Sequence, residues 1–164
     1  MDQKIIDQIE AVVGKDGYSV EPAVLYTYGF DASIFHRTPD IVVQPRTTEQ
    51  VSEIMKIAYA NKIPVTPRGA GTGLCGSAVP IKGGIVMAMQ RMNHVKKVSV
   101  ADLWVDVEAG VVYNDLNEEL AKYGFFFPPS PAPPRRARSA GWSPTTRPAC
   151  APSSTAPPGT SSWA

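Results

Sequence analysis

Arg68, Gly69, Gly71, Gly73, Gly76 and Ser77 are the residues whose types and spacing suit a definite chemistry, the binding of an anion. They lie in Pro67-Arg68-Gly69-Ala70-Gly71-Thr72-Gly73-Leu74-Cys75-Gly76-Ser77, where four glycines fall within eight residues. Glycine lets a backbone take φ > 0 and approach a ligand without Cβ clashes. Successive amide N–H groups in such a loop form a concave donor set for phosphate oxygens. Arg68, at the mouth of the loop, adds a planar fork that matches phosphate geometry. Gly71, Gly73 and Gly76 also fit the G-x-G-x-x-G spacing of a Rossmann dinucleotide turn. That turn needs a helix opening inside the motif, so that the pyrophosphate meets the helix N-terminus. Here Pro80 and Gly83-Gly84 follow at once, and both break helices. A Walker loop is excluded because no Gly-Lys-Ser/Thr is present. The loop is therefore expected to hold phosphates by backbone amides, in a fold other than these two.

The elements that must position it are legible on either side. Ile41-Val42-Val43 is a continuous apolar run, the type buried on both faces of a sheet. Thr47-Thr48-Glu49-Gln50 has the form of a capping box, with Thr47 bonded to the Gln50 amide and the Gln50 side chain returning to Thr47. Val51, Ile54, Met55 and Ala58 follow at helical spacing to about Asn61, and Ile63 to Thr66 make a second strand. The result is a β-α-β unit with parallel strands and a right-handed crossover. The glycine loop leaves the C-terminal end of its second strand, where α/β units bind ligands.

Upstream, Ile5, Ile6, Ile9, Val12 and Val13 form one helical stripe over residues 3–14, closed by Lys15-Asp16-Gly17. Tyr18 to His36 reads as irregular and aromatic, with Tyr26, Tyr28, Phe30 and Phe35 packed against the domain and His36 structural. Downstream, Gly84 to Met89 is a strand, and Val95–Val100 with Leu103–Val107 is a hairpin. Residues 112–123 form a helix capped by Asn114 or Asp115 and ended at Gly124. Met87, Met89 and Met92 read as core. His94 reads as a solvated turn residue, with no acid at a spacing that would pair with it.

Composition narrows the class. A chain of 164 residues with net charge +1, acids and bases intermixed over residues 1–127, lacks the basic stripe of a nucleic-acid groove. Cys75 and Cys150 give neither a disulfide framework nor metal-ligand spacing, which points to a reducing compartment. The charged amphipathic start is not a signal peptide, and no apolar run reaches the ~20 residues of a membrane span.

These stretches resemble the FAD-linked oxidases, whose FAD domain is that of vanillyl-alcohol oxidase and p-cresol methylhydroxylase. The resemblance is carried by Asp40-Ile41-Val42-Val43-Gln44-Pro45, the loop Pro67 to Gly76, Gly83-Gly84-Ile85-Val86 and Val107-Glu108-Ala109-Gly110-Val111. It extends over about residues 20–130, and the branch that holds glycolate oxidase and D-lactate dehydrogenase fits best. It implies an α+β fold, the N-terminal half of a p-cresol methylhydroxylase-type FAD-binding domain. It implies FAD held by Arg68, Gly69, Ala70, Gly71, Thr72, Gly73, Leu74, Gly76 and Ser77. Thr72 stands where some relatives carry a histidine bonded to the flavin, so the FAD is expected to be non-covalent. The implied reaction is oxidation of a small 2-hydroxy acid of the glycolate or D-lactate type. Electrons would pass to a partner protein or carrier. The implied location is cytoplasmic, reaching the inner membrane only through such a partner. No catalytic residue and no metal ligand can be placed by matching, since the family's substrate domain has no counterpart here. The chain alone is therefore expected to be inactive.

The organisation expected is a helix and aromatic lead-in over 1–36, the FAD-binding part over 37–129, and a disordered tail over 130–164. From Pro128 to Ala164 there is no Leu, Ile, Val, Met, Phe, Asp or Glu, and ten of the sixteen prolines lie there. Such a segment cannot bury enough apolar area to offset its chain entropy. In the family, the counterpart of Phe126-Phe127-Pro128-Pro129 leads into CTIGGMVANNASG, then KYGTTRD and VLG. Codons able to encode Ala137 to Ala164, shifted by one base, permit that reading at every position. The tail is thus read as frameshifted between about Ser130 and Arg136. Two other readings remain at this point: a Rossmann NAD-binding protein, and a non-enzymatic scaffold docking through Pro131-Ala132-Pro133-Pro134-Arg135-Arg136.

Overall fold

The computed structural model describes residues 1–128 and the backbone of Ala151–Pro152. The disorder, the frame change and the docking peptide assigned to the tail otherwise lie outside the described residues. Helix α1 (Gln3–Val13) starts at Asp2, whose side chain accepts from the Lys4 amide, and ends at Gly14. Its stripe faces inward, with Ile9 fully buried. The stretch expected to be irregular holds a short strand, β1 (Tyr18–Ser19), and a helical turn and a half, α2 (Pro22–Thr27). Pro22 sits in the first turn of α2, where its missing N–H costs nothing.

Strands β2 (Ile41–Val43), β3 (Val65–Arg68) and β4 (Ile85–Ala88) build one sheet in the order β1-β2-β4-β3. β2, β4 and β3 run parallel, while β1 pairs antiparallel with β2 at the edge. The two strands of the expected β-α-β unit are thus parallel but not adjacent: β4 lies between them. Residue type explains this placement. Every residue of β2 and β4 is buried, as central strands require. β3 carries Pro67, which cannot donate to a ladder on both sides and belongs at an edge.

Helix α3 (Thr48–Ala60) covers one face of the sheet and packs on α1. Ile9, Ile41, Val43, Ile54, Ala58, Ile85 and Met87 form its core with Met89 and Met92. Thr47 caps α3 through the Gln50 amide at 3.3 Å, as the sequence predicts. The reciprocal bond differs. The Gln50 side chain accepts from the Arg46 amide at 2.8 Å and donates to the Val12 carbonyl at 3.0 Å, tying α3 to α1.

A second layer follows. β5 (Val95–Ser99) and β6 (Trp104–Val107) form the expected antiparallel hairpin. Helix α4 (Tyr113–Ala121) packs Leu116 and Leu120 against it with Val111 and Phe127. Asn114 and Asp115 lie inside α4, not at its cap; Val112 takes the N-cap position and offers no side-chain bond. β7 (Phe125–Phe126) pairs antiparallel with β8 (Ala151–Pro152). A two-residue edge presents open backbone groups, and any extended segment can fill them.

His94 has the acid that its sequence neighbours lack. Its Nδ1 lies 2.9 Å from Glu108 Oε2, and its backbone amide donates to the same oxygen at 3.0 Å. Glu108 comes from just beyond the far strand of the hairpin, a pairing that linear spacing does not reveal. The His94 amide, opposed by burial and aided by the imidazole and Lys96, holds the Glu108 carboxyl below its ordinary 4.5. A depressed folded pKa stabilises the native state above the unfolded value and loses that contribution as pH falls through the folded one. We expect Glu108→Gln to lower stability at neutral pH and to flatten the acid limb of a denaturation-versus-pH curve below about pH 4.5, so that the two proteins converge in acid.

Candidate functional site

Residues 69–84 connect β3 to β4 without a helix. This removes the Rossmann reading on geometric grounds, because no helix N-terminus opens inside Gly71, Gly73 and Gly76. From Ala70 to Ser77, no backbone N–H donates to a protein acceptor among the described residues. Gly71 and Gly76 have positive φ, 68° and 72°. Loops that mix left- and right-handed residues turn successive N–H groups to one side and make an anion-binding hollow. Eight consecutive amides of this loop are thus left without a protein acceptor among the described residues.

The loop is held by what lies beneath it. Arg68, at the end of β3, is 7% exposed. Its Nη1 donates to the Phe30 carbonyl at 2.8 Å and more weakly to the Ala78 carbonyl at 3.4 Å. The guanidinium also lies over the Tyr28 ring, 5.4 Å from its centroid. The Tyr28 hydroxyl in turn donates to Gln90 and accepts from Gln44. Arg68 therefore does not stand at the mouth, as its position in the sequence suggests. It is folded under the loop, where it fastens both ends to the segment after α2. Burial pulls its pKa below the ordinary value, while Tyr28 and Asp31 act the other way. Arginine stays a cation under such conditions.

Gly69 and Gly76 are buried, Ala70, Gly71 and Thr72 half-buried, and Gly73, Leu74, Cys75 and Ser77 exposed. The predicted cofactor residues thus share one loop with a buried stem and an open rim. Phe35 packs against Gly76, where an added Cβ would come within 2.8 Å of its ring. The Ala32 amide donates to the Gly73 carbonyl at 3.0 Å. The stretch Phe30–Phe35 is thus packed against the loop. Sequence reasoning treated it as packing, yet Phe30 and Phe35 are 41% and 49% exposed, and Ile34 94%.

Asp31 is the residue that reasoning missed. It is 7% exposed. Its Oδ1 accepts from the Ser33 amide at 2.8 Å, while its Oδ2 is buried with no hydrogen-bond partner among the described residues. Burial pushes its pKa up, but the nearby Ser33 and Ala78 dipoles and the Arg68 charge, none of them bonded to Oδ2, outweigh that and hold it low. Its signal was available: Asp-x-Ser within a run of aromatics marks an Asx turn.

Replacing Arg68 by alanine leaves the Phe30 and Ala78 carbonyls without their donor and empties the space under the loop. We expect a loss of about 2–4 kcal/mol, read by urea denaturation. Arg68→Lys recovers little, since an ammonium lacks the planar guanidinium that lies over the Tyr28 ring.

Among the described residues, no helix is long and apolar enough to cross a membrane, and no three His, Cys, Asp or Glu side chains cluster for a metal.

The loop between β3 and β4, with no helix opening inside its glycine motif, is not a Rossmann dinucleotide turn. The chain belongs to the FAD binding domain family, which it matches over residues 39–145. It is 32% identical over 127 residues to the glycolate oxidase protein GlcD of Bacillus subtilis, covering 77% of this chain and 27% of that protein. It is 40% identical over 93 residues to D-lactate dehydrogenase of Anaerostipes hadrus, covering 57% of this chain and 20% of that protein. Among solved structures, p-cresol methylhydroxylase with substrate bound superposes with a TM-score of 0.68 at 25% identity. That overlay covers 75% of this chain and 25% of the other. The expected p-cresol methylhydroxylase-type fold and the FAD cofactor are thereby established at the level of the domain. The chain spans about a quarter of the length of these curated relatives.

Proposed function

We propose that this chain supplies the diphosphate-holding half of the FAD site in a flavin oxidoreductase acting on a small 2-hydroxy acid. The observation that carries the proposal is the run of unpartnered amides from Ala70 to Ser77 above a buried Arg68. Gly69 to Gly73 and Leu74, Gly76 and Ser77 would hold the two phosphates by backbone N–H groups, with Arg68 shaping the loop from below. When bound, FAD supplies the redox chemistry, taking two electrons from a 2-hydroxy acid carbon. The chain's own part is to bind and orient, and to exclude water from the phosphates through the stretch Phe30–Phe35.

Attachment is read as non-covalent, because Thr72 offers only a hydroxyl where a histidine would be needed. The similarity to GlcD and to D-lactate dehydrogenase supports glycolate or D-lactate as the substrate class. An electron-accepting partner protein, which would also set any association with the inner membrane, belongs to the same reading. So does a change of reading frame between Ser130 and Arg136. It is tested by the nucleotide sequence around codons 128–140, where an uninterrupted frame with no FAD-domain continuation in either alternative would refute it.

Titration of the purified chain with FAD, followed by flavin fluorescence, tests the cofactor assignment. Saturable binding weaker than micromolar is expected on the reading that the frame change scrambles a second flavin-contacting stretch. Binding of NAD in place of FAD would overturn the assignment, and micromolar or tighter FAD would show that the second stretch is dispensable.

A further inference from the structure

We propose that Asp31 is a positioning residue for the glycine loop, and that its free Oδ2 accepts the Ser77 hydroxyl when the loop closes on a diphosphate. The inference rests on the diphosphate reading of that loop and adds the device that closes it. Asp31 precedes residue 39, where the match to the FAD binding domain family begins.

A buried carboxylate oxygen without a partner is costly and uncommon, and calls for a physical explanation. Asp31 Oδ2 is such an atom. It lies 3.9 Å from the point a Cβ on Gly73 would occupy, and Ser77 Oγ lies 3.7 Å from that same point. The two groups therefore approach one side of Gly73, an acceptor without a donor beneath and a hydroxyl on the exposed rim. Gly73 is already fastened to the residue after Asp31 by the Ala32 amide, so the arm from Gly73 to Ser77 is anchored at one end. A small inward movement of Ser77 would complete the set.

Asp31 is not itself a phosphate contact, since two negative groups repel at short range. Arg68, fixed beside it under the same loop, supplies the opposite charge, so the pair adds little net field where the phosphates would sit. The carboxylate acts through the loop. Its oxygen draws the Ser77 side chain down and leaves the amides above it facing outward.

The test uses the full chain labelled with 13C and 15N, with the Asp31 carboxyl assigned by through-bond correlation from its own amide. FAD and, separately, inorganic pyrophosphate are the probes. The Asp31 carboxyl resonance should move on titration with the same midpoint as the amides of Ala70–Ser77. In Ser77→Ala that movement should vanish and FAD affinity should fall by about tenfold, the loss of one hydrogen bond to a charged group. Asp31→Asn should cost about the same, and the Asp31→Asn, Ser77→Ala double variant no more than either alone, because both remove one contact. If Asp31→Asn does not fold, the resonance shift and its loss in Ser77→Ala decide the matter. Loop amides that move while the Asp31 carboxyl stays still would overturn the inference alone, as would two substitutions whose effects multiply. If neither moves with either probe, the diphosphate reading fails and the inference fails with it.

Discussion

Gly71→Ala is expected to abolish FAD binding while leaving the sheet and helices intact. Gly71 has φ 68°, and a Cβ built there falls 2.2 Å from Arg68 Nη2 and 2.3 Å from its Cζ. The left-handed backbone alone costs an alanine about 1–2 kcal/mol. A guanidinium is normally able to swing aside, but this one is buried and bonded to the Phe30 carbonyl. Moving it strands that buried acceptor, at about 1–3 kcal/mol more. The chain can escape both costs only by refolding the loop, which turns the amides away from the ligand. Circular dichroism should be unchanged, and flavin fluorescence should show no saturable quenching up to millimolar FAD. Retained affinity within about threefold of the parent, under half of one tenfold step of about 1.4 kcal/mol, would show that loop shape does not govern binding.

Gly110→Ala should have the largest effect on stability. Its Cβ would fall 1.8 Å from the Met89 carbonyl oxygen and 2.7 Å from that of Met92. Both obstacles are backbone, so no rotamer change relieves them. Gly110 also donates its N–H to the Met92 carbonyl at 2.6 Å. This is the seam between the core under α1 and α3, which holds Met89 and Met92, and the core under α4, which begins at Val111. Separating the seam exposes part of both, and a loss of at least about 3 kcal/mol is expected in urea. Gly124→Ala is the control. It has a positive φ, 77°, but meets nothing within 4 Å. It should cost only the backbone term of about 1–2 kcal/mol. Equal losses at the two positions would mean that close approach at Gly110 is not what holds the layers together.

The legible parts were those governed by local chemistry. Strand β2, the Thr47 cap, helix α3 and the β5–β6 hairpin follow from apolar spacing and turn residues that act over a few positions. The glycine loop was legible because proline and glycine after it forbid a helix. What did not show was set by partners distant in the chain. Arg68 bonds a carbonyl thirty-eight residues away, which turns an expected phosphate fork into a structural clamp. Glu108 finds His94 only because a hairpin folds the two together. The placement of β4 between β2 and β3 was open to inference from Pro67, whose missing N–H favours an edge. The capping return of Gln50 went one residue upstream, its Oε1 accepting from the Arg46 amide while its Nε2 donates to the Val12 carbonyl of α1.

The central claim is that peptide N–H groups of one loop, and not a side-chain cation, take the diphosphate. Amide 1H–15N spectra of the chain during titration with FAD test it most directly. The largest shifts should fall at Ala70 to Ser77, with inorganic pyrophosphate reproducing them and Arg68 side-chain signals nearly still. Shifts centred instead on helices α1 and α3, or confined to the Arg68 guanidinium, would contradict it.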